Sequence, residues 1–243
     1  MDPRAYPEHA AVEERHWWFR GRRALARSEI ASWRLRDGAR VLELGCGTGG
    51  NLAMLGALGH VVAVEPDASA REVARARHPS VELISSVDEL AGPAFDAAFA
   101  FDVLEHLDEP RAVLRRLRAF CVPQAPLLVT VPQHPWLFGA HDRFLHHARR
   151  YTERSLRDDL SAGGFEVERV RQLSSLALPA ACAARAIEIA RALVGRPAPP
   201  APRGMSVPPE PLNSLLRAAY VHEPRQRLPT GLGLMAVARA APR

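Results

Sequence analysis

Lysine is absent from this chain: all 32 basic side chains are arginine, set against 27 acidic residues for a net charge of +5 over 243 residues. The arginines are scattered among glutamates and alanines with no long basic block, whereas a nucleic-acid footprint is clustered, so nucleic acid is not an expected partner. Missing lysine beside abundant Ala, Arg and Pro reads as a compositional bias rather than a binding surface. Cysteine is also scarce. Cys46, Cys121 and Cys182 are odd in number and far apart, which excludes a disulfide framework and any CxxC metal pair and suits a reducing compartment. No run reaches the ~20 apolar residues that a bilayer span requires. The nearest, residues 173–194, is interrupted by Pro179, Arg185, Glu188 and Arg191. Residues 1–15 are polar and charged, without the apolar stretch of a secretory leader, so the expected location is cytoplasmic. There is no internal repeat.

What is present is a rhythm. Hydrophobic residues make up 47% of the chain, enough for a substantial core. Residues 12–34 carry Phe19, Ala26, Ile30 and Trp33 on one helical face, with arginines on another. Short apolar runs at 40–44, 61–64, 81–84, 97–101 and 127–131 then alternate with helical segments at 51–58, 69–77 and 110–120. This is the signature of βαβ units and a parallel sheet. A helix at 152–162, capped by Thr152 and stopped by Gly163–Gly164, leads into a strand at 165–170. The tail departs from this pattern: an Ala-rich helix at 173–194, a proline-rich stretch at 196–211, a short helix at 212–220 and a last strand at 232–239. That strand is expected to return antiparallel, at the edge beside 165–170. Four regions follow: a cap at 1–37, an α/β core at 38–172, a helical and Pro-rich insertion at 173–230, and the returning strand at 231–243.

The densest chemistry lies in Glu43-Leu44-Gly45-Cys46-Gly47-Thr48-Gly49-Gly50-Asn51, where a buried strand meets alternating glycines and then a helix. Glycines permit the tight turn and let a ligand approach the backbone, and the helix start offers free N–H groups. Gly45, Gly47 and Gly50 also satisfy GxGxxG, so the glycines alone do not separate cofactors. Glu65, after the second strand, is placed to accept hydrogen bonds from ribose hydroxyls. Two features argue against a dinucleotide: Glu43 sits inside the strand where such folds want an apolar residue, and the strand at 97–101 ends in Asp102-Val103-Leu104-Glu105-His106-Leu107. Ligands bind at the carboxyl ends of parallel strands, which brings those acids and His106 to the cofactor crevice.

Taken together, residues 38–172 resemble the class I S-adenosylmethionine (SAM)-dependent methyltransferases, in the broad group that includes ubiquinone-pathway O-methyltransferases. The resemblance implies a Rossmann-like, doubly wound, mostly parallel seven-stranded α/β sheet with an antiparallel last strand. It implies SAM as cofactor, with Glu43 facing the cationic methionine end. Gly45, Gly47 and Gly49 would then lie against the methionine half and ribose, and Pro66 beside the adenine. Ser86 and Val87 stand where many members have Asp-Ala for the adenine amine, which shifts that role toward main chain or Asp88. In the N-terminal run Glu14–Arg23, Arg23 is the expected partner of the SAM carboxylate, with Arg20 in reserve. Trp17 and Phe19 either line the acceptor pocket or staple the helix to the core. The fourth-strand motif resembles an acid–x–x–Glu–His run that binds magnesium in some relatives. It suggests a Mg²⁺ or Mn²⁺ site at Asp102, Glu105 and His106, completed by His141 or, in the set we adopt, by His146.

Four of the ten histidines fall between His134 and His147 in a loop on the acceptor side. His106 and His141 are the expected bases in a metal-free reaction, and Arg149, Arg150 and Tyr151 either bind an acidic acceptor or cap the next helix. The expected reaction is O-methylation of a small molecule or of a sugar- or lipid-linked acceptor. N-methylation is the nearest alternative, followed by a catalytically silent SAM-binding subunit and a nicotinamide oxidoreductase. For the 173–194 helix, packing in the core, docking on a membrane surface and contacts in a homodimer all stand open.

Overall fold

Unbroken apolar runs such as Ala97–Phe101 have no polar face to give to water, and in the computed structural model they form the centre of one sheet. The structure describes residues 6–92, 94–196, 206–222 and 229–242. The strands are β1 (Ala39–Leu44), β2 (Gly59–Val64), β3 (Glu82–Ile84), β4 (Ala97–Phe101), β5 (Pro126–Pro132), β6 (Phe165–Leu173) and β7 (Gly233–Ala240). Their order is β3-β2-β1-β4-β5-β7-β6, with β1 to β5 parallel and β7 antiparallel to both its neighbours. This is the doubly wound, Rossmann-like sheet expected.

The last strand corrects one expectation. β7 does pair with the strand at 165, but it lies between β5 and β6 rather than at the edge. Its sequence explains why: Leu234 to Ala238 are buried on both faces, which requires neighbours on both sides. Strand β6, rich in Glu and Arg at exposed or half-buried positions, takes the edge, where charged side chains block pairing with other chains.

Helices α1 (Tyr6–Arg15), α2 (Trp17–Ile30), α3 (Leu52–Gly56) and α4 (Ala68–Arg77) precede or follow the first strands; α5 (Pro110–Ala119), α6 (Ala140–Phe144) and α7 (Glu153–Ala162) come later. The single helix expected at 12–34 is two. His16 leaves the helical region and caps α2 by accepting from the Trp18 amide at 3.2 Å, so the chain bends there. One face of the sheet is covered by α5 and α7 through Leu114, Leu117, Leu156 and Leu160, and the other by α2 and α3 through Leu25, Ala26, Leu52 and Leu55. Each such leucine is worth about 1.5–3 kcal/mol of burial.

Helices α8 (Leu178–Leu193) and α9 (Leu212–His222) come between β6 and β7. α9 packs on α2: Asn213 is buried, accepting from the Trp17 amide at 2.8 Å and donating to the Arg15 carbonyl at 2.9 Å, and Tyr220 fills the space over Gly21. α8 does not enter the core, since none of its residues is buried. Its polar side chains turn inward instead: Glu188 accepts from the Ala140 amide at 3.0 Å and pairs with Arg143 and Arg185. Ile187, Ile189 and Leu193 face outward. Much of the proline-rich stretch, residues 197–205, lies outside the described residues. No helix among the described residues is long and apolar enough to cross a membrane.

Candidate active site

The turn after β1 is built by backbone geometry. Gly45, Gly47 and Gly49 all take positive φ, a region that only glycine enters freely. At Gly45 a Cβ would also come within 2.5 Å of the Val103 side chain, so the close approach of the loop to the end of β4 needs glycine on two grounds. Glu65, at the end of β2, ties the turn down: its carboxylate accepts from the Gly47 amide at 2.8 Å and the Asp67 amide at 2.9 Å. Glu43 is fully buried one turn below. One of its oxygens accepts from Asn51 at 2.8 Å, the other has no partner among the described residues, and burial pushes its carboxyl up to about 8.

Helix α1 lies across this crevice. Glu13 accepts from the Thr48 hydroxyl and stands against Gly50, where a Cβ would meet its carboxylate. Arg77 of α4 donates to the Thr48 carbonyl at 2.6 Å and pairs with Glu13 and Glu14. Tyr6 is buried, with its hydroxyl on Asp67. Further along the rim, the Ser86 hydroxyl caps the turn at Val87–Glu89 by accepting from the Asp88 amide at 3.1 Å. Val87 packs against the core and Pro66 is exposed.

Arginine placement differs from expectation. Arg23 turns away and donates to the Glu13 carbonyl at 2.7 Å, while Arg20 lies 3.9 Å from Glu210. The arginine directed at the strand ends is Arg22, buried, 4.2 Å over the Trp18 ring and ion-paired with Asp102. Helical spacing could have shown this, because Arg22 sits one turn beyond Trp18 and one before the buried Ala26. Asp102 itself has φ +54 and accepts from the Thr130 hydroxyl at 2.8 Å, so the chain leaves β4 sharply and enters the short turn Leu104–His106.

That turn meets the histidine loop. The Ala148 amide donates to the Glu105 carbonyl at 2.7 Å, and Arg149 donates to the Leu107 and Asp108 carbonyls. Asp142 is the loop's buried anchor, accepting from the Gly139 amide at 2.9 Å, His147 Nδ1 at 2.9 Å and Arg150 Nε at 2.7 Å. These donors hold its carboxyl well below the ordinary range, against the effect of burial. Arg149 thus ties the loop to that turn and Arg150 is used within the loop, while Tyr151 is buried with its hydroxyl on the Leu104 carbonyl. Glu105 is fully buried, and among the described residues neither of its oxygens has a partner beyond its own backbone amide; burial pushes its carboxyl up to about 8. Among the described residues, Glu105, His106 and His147 form a group whose ligand atoms lie within 4.8 Å of one another. Asp102, committed to Arg22 and Thr130, is not in it, nor is His146, which contributes its carbonyl to His106 Nδ1 at 3.3 Å. His141 lies exposed on α6. His147 and Asp142 carried no local sequence signal, because a positive φ at His146 (+58) brings them together.

The profile of a methyltransferase domain matches residues 15–170. The chain belongs to the methyltransferase-domain family. That is the family which the glycine turn and fourth-strand motif implied. A stretch of 126 residues is 34% identical to the ubiquinone biosynthesis O-methyltransferase of Xanthomonas axonopodis pv. citri, covering 46% of this chain and 52% of that relative, so the match spans about half of either protein. In fold, the chain is similar to a SAM-dependent methyltransferase from Mesorhizobium loti (TM-score 0.56, 17% identity, 89% of this chain and 95% of that one). It is also similar to the N-methyltransferase NodS from Bradyrhizobium japonicum, solved with S-adenosyl-L-homocysteine (TM-score 0.58, 13% identity, 98% and 97%). Likeness at such identities extends to the fold, which hosts both O- and N-methylation.

Proposed function

We propose that this methyltransferase acts in the cytoplasm on a hydroxyl oxygen of a small molecule or of a sugar- or lipid-linked acceptor. The observation that carries this reading is the buried, unpartnered Glu105 beside His106 and His147, at the carboxyl end of the central strand. SAM is already activated by its sulfonium, so the protein has chiefly to align acceptor oxygen, methyl carbon and sulfur and to exclude water. A hydroxyl acceptor must in addition lose its proton, and this cluster is the equipment for that task. His106 keeps its assigned role; His147, held by Asp142, stands where His141 was expected. The local similarity to a ubiquinone-pathway O-methyltransferase supports the same direction.

On the cofactor side, Glu65 receives the ribose hydroxyls, Gly45, Gly47 and Gly49 bring the backbone against the methionine half, and Glu43 faces its cationic end. Pro66, Ser86 and Val87 border the adenine. Arg22, rather than Arg23, meets the carboxylate, trading Asp102 for it. Residues 1–37 cap this site and residues 173–230 select the acceptor. A divalent cation, when bound, would lower the pKa of the acceptor hydroxyl; the orphaned Glu105 oxygens fit such an ion. The test is a screen of hydroxylated and amine acceptors with methyl-labelled SAM. Label transferred to oxygen is expected; transfer to nitrogen alone overturns the O-methylation reading, and SAM binding without transfer to any acceptor supports the silent subunit.

A further inference from the structure

We infer that α8 is the contact through which two copies of this chain associate, as an antiparallel helix pair across a two-fold axis. The polarity of this helix is inverted for a monomer. Every exposed residue of Leu178–Leu193 is apolar. Arg185 and Glu188 turn inward instead, paired at 2.9 Å, and Glu188 holds the histidine loop through the Ala140 amide. Ile187, Leu193 and Val194 keep 55%, 82% and 68% of their surface in water. A surface helix ordinarily turns its apolar stripe to a core, and a stripe left outside marks an interaction site.

The order of the residues says what covers it. Leu176, Ala180, Ala183, Ile187, Ala190 and Val194 are all exposed, and they alternate steps of four and three, the seam of a helix that packs lengthwise on another. Reversed, the seam matches itself. In an antiparallel pair Leu176 meets Val194, Ala180 meets Ala190, and Ala183 meets Ile187. Alanine on alanine lets the axes approach to about 8 Å, and each isoleucine fills the space over an alanine of the other copy. Parallel pairing would set Ile187 on Ile187 and hold the alanines apart. A two-fold contact requires this self-complementarity. An anionic lipid surface fits less well, because no exposed residue of α8 is charged and the face is mostly alanine, short of the bulky side chains that insert among headgroups.

Two faces about 24 Å long make a contact near the small end of specific interfaces, about 1,000 Å² in total, so association is expected in the micromolar range and dilute protein stays monomeric. Pairing would also press Glu188 onto the histidine loop from behind. That consequence rests on the proposed reaction; the pairing does not, so the two can fail separately.

Sedimentation equilibrium of the full-length chain, without SAM, should give twice the chain mass at about 200 μM and the single mass below about 1 μM. Ile187→Asp should weaken association roughly thirtyfold or more. Leu215→Asp, at an equally exposed apolar position on α9, should leave it unchanged. Orientation is read by cross-linking in a Cys182→Ala background: in a mixture of Ala180→Cys and Ala190→Cys chains, the disulfide between the two variants should form faster than either homodimer's. A monomer at every concentration, a dimer that survives Ile187→Asp, loss of the dimer in Leu215→Asp, or preferential pairing of Ala180→Cys with itself would each overturn the inference. So would flotation with phosphatidylglycerol vesicles that Ile187→Asp abolishes in a chain that never dimerises. Circular dichroism establishes that Ile187→Asp is folded; should it misfold, the cross-linking mixture decides alone.

Discussion

Three charged side chains on the cofactor side carry most of what the residue scale can test. Glu65 already accepts two backbone amides, and on the proposed reading its remaining lone pairs take the ribose hydroxyls. Replacing it by alanine should weaken SAM by about 1.5–3 kcal/mol, tenfold to more than a hundredfold, and also loosen the Gly47 turn; calorimetry on the folded variant reads the first effect. Arg22→Met should weaken SAM by a similar factor, and Arg23→Met by much less, since Arg23 donates to the Glu13 carbonyl, away from the strand ends. Equal losses would return the carboxylate role to Arg23. Glu43 adds a pH dependence. With its folded pKa near 8 and its unfolded value near 4.5, the native state holds a proton that the unfolded state has lost between those limits. Its contribution to stability is therefore fully present at low pH and falls as pH rises through that window, by at most about 1.4 kcal/mol per pH unit. Denaturation between pH 5 and 8 should show a shallower decline in Glu43→Gln. If Glu43 meets the cationic end of SAM, binding at pH 7 should also release a proton, seen as a buffer-dependent heat that vanishes in the same variant.

At the scale of elements, the cofactor crevice is closed by α1, and the closure is held by a few polar contacts rather than by a deep apolar face. Only Tyr6 and Ala10 of that helix are buried. Arg77 links the Thr48 carbonyl to Glu13 and Glu14, so it joins the lid to both the glycine turn and α4. Arg77→Ala should speed dissociation of S-adenosylhomocysteine severalfold in stopped-flow measurements and also lower the melting temperature, because the Arg77 and Glu13 side chains are only 21% and 13% exposed and removal of Arg77 leaves a largely buried carboxylate short of a partner. An unchanged rate would mean that α1 does not gate the cofactor. α9 is held differently: Asn213 satisfies backbone groups of Trp17 and Arg15 at the break between α1 and α2, which couples the C-terminal insertion to the N-terminal cap.

Across the whole molecule the two cores lie on opposite faces of the sheet, and α8 belongs to neither. Its apolar stripe faces outward while its Arg–Glu pairs face the loop that carries the histidine cluster. Ile187→Ser together with Leu193→Ser should therefore leave the melting temperature within about 2 °C, the range of surface substitutions in a chain of this size. A drop of several degrees would show that this face is covered in solution.

The sheet was legible in the sequence because period and punctuation are local: apolar runs, Pro110 at a helix start, Thr152 as cap and the glycines after β1 act on their neighbours. The glycine turn, Glu65 and the acids closing β4 followed for the same reason, since ligands gather at the ends of parallel strands. The break at His16 is equally local, but it depends on one cap within a continuous helical pattern. What tertiary structure decided were long-range choices: that β7 enters between β5 and β6, that Arg22 instead of Arg23 turns to the sheet, and that Asp142 and His147 arrive beside Glu105 from forty residues away. The first is settled by burial of a strand that is apolar on both faces, the other two by which buried polar group finds which partner, and both are matters of distance through space on which spacing along the chain is silent.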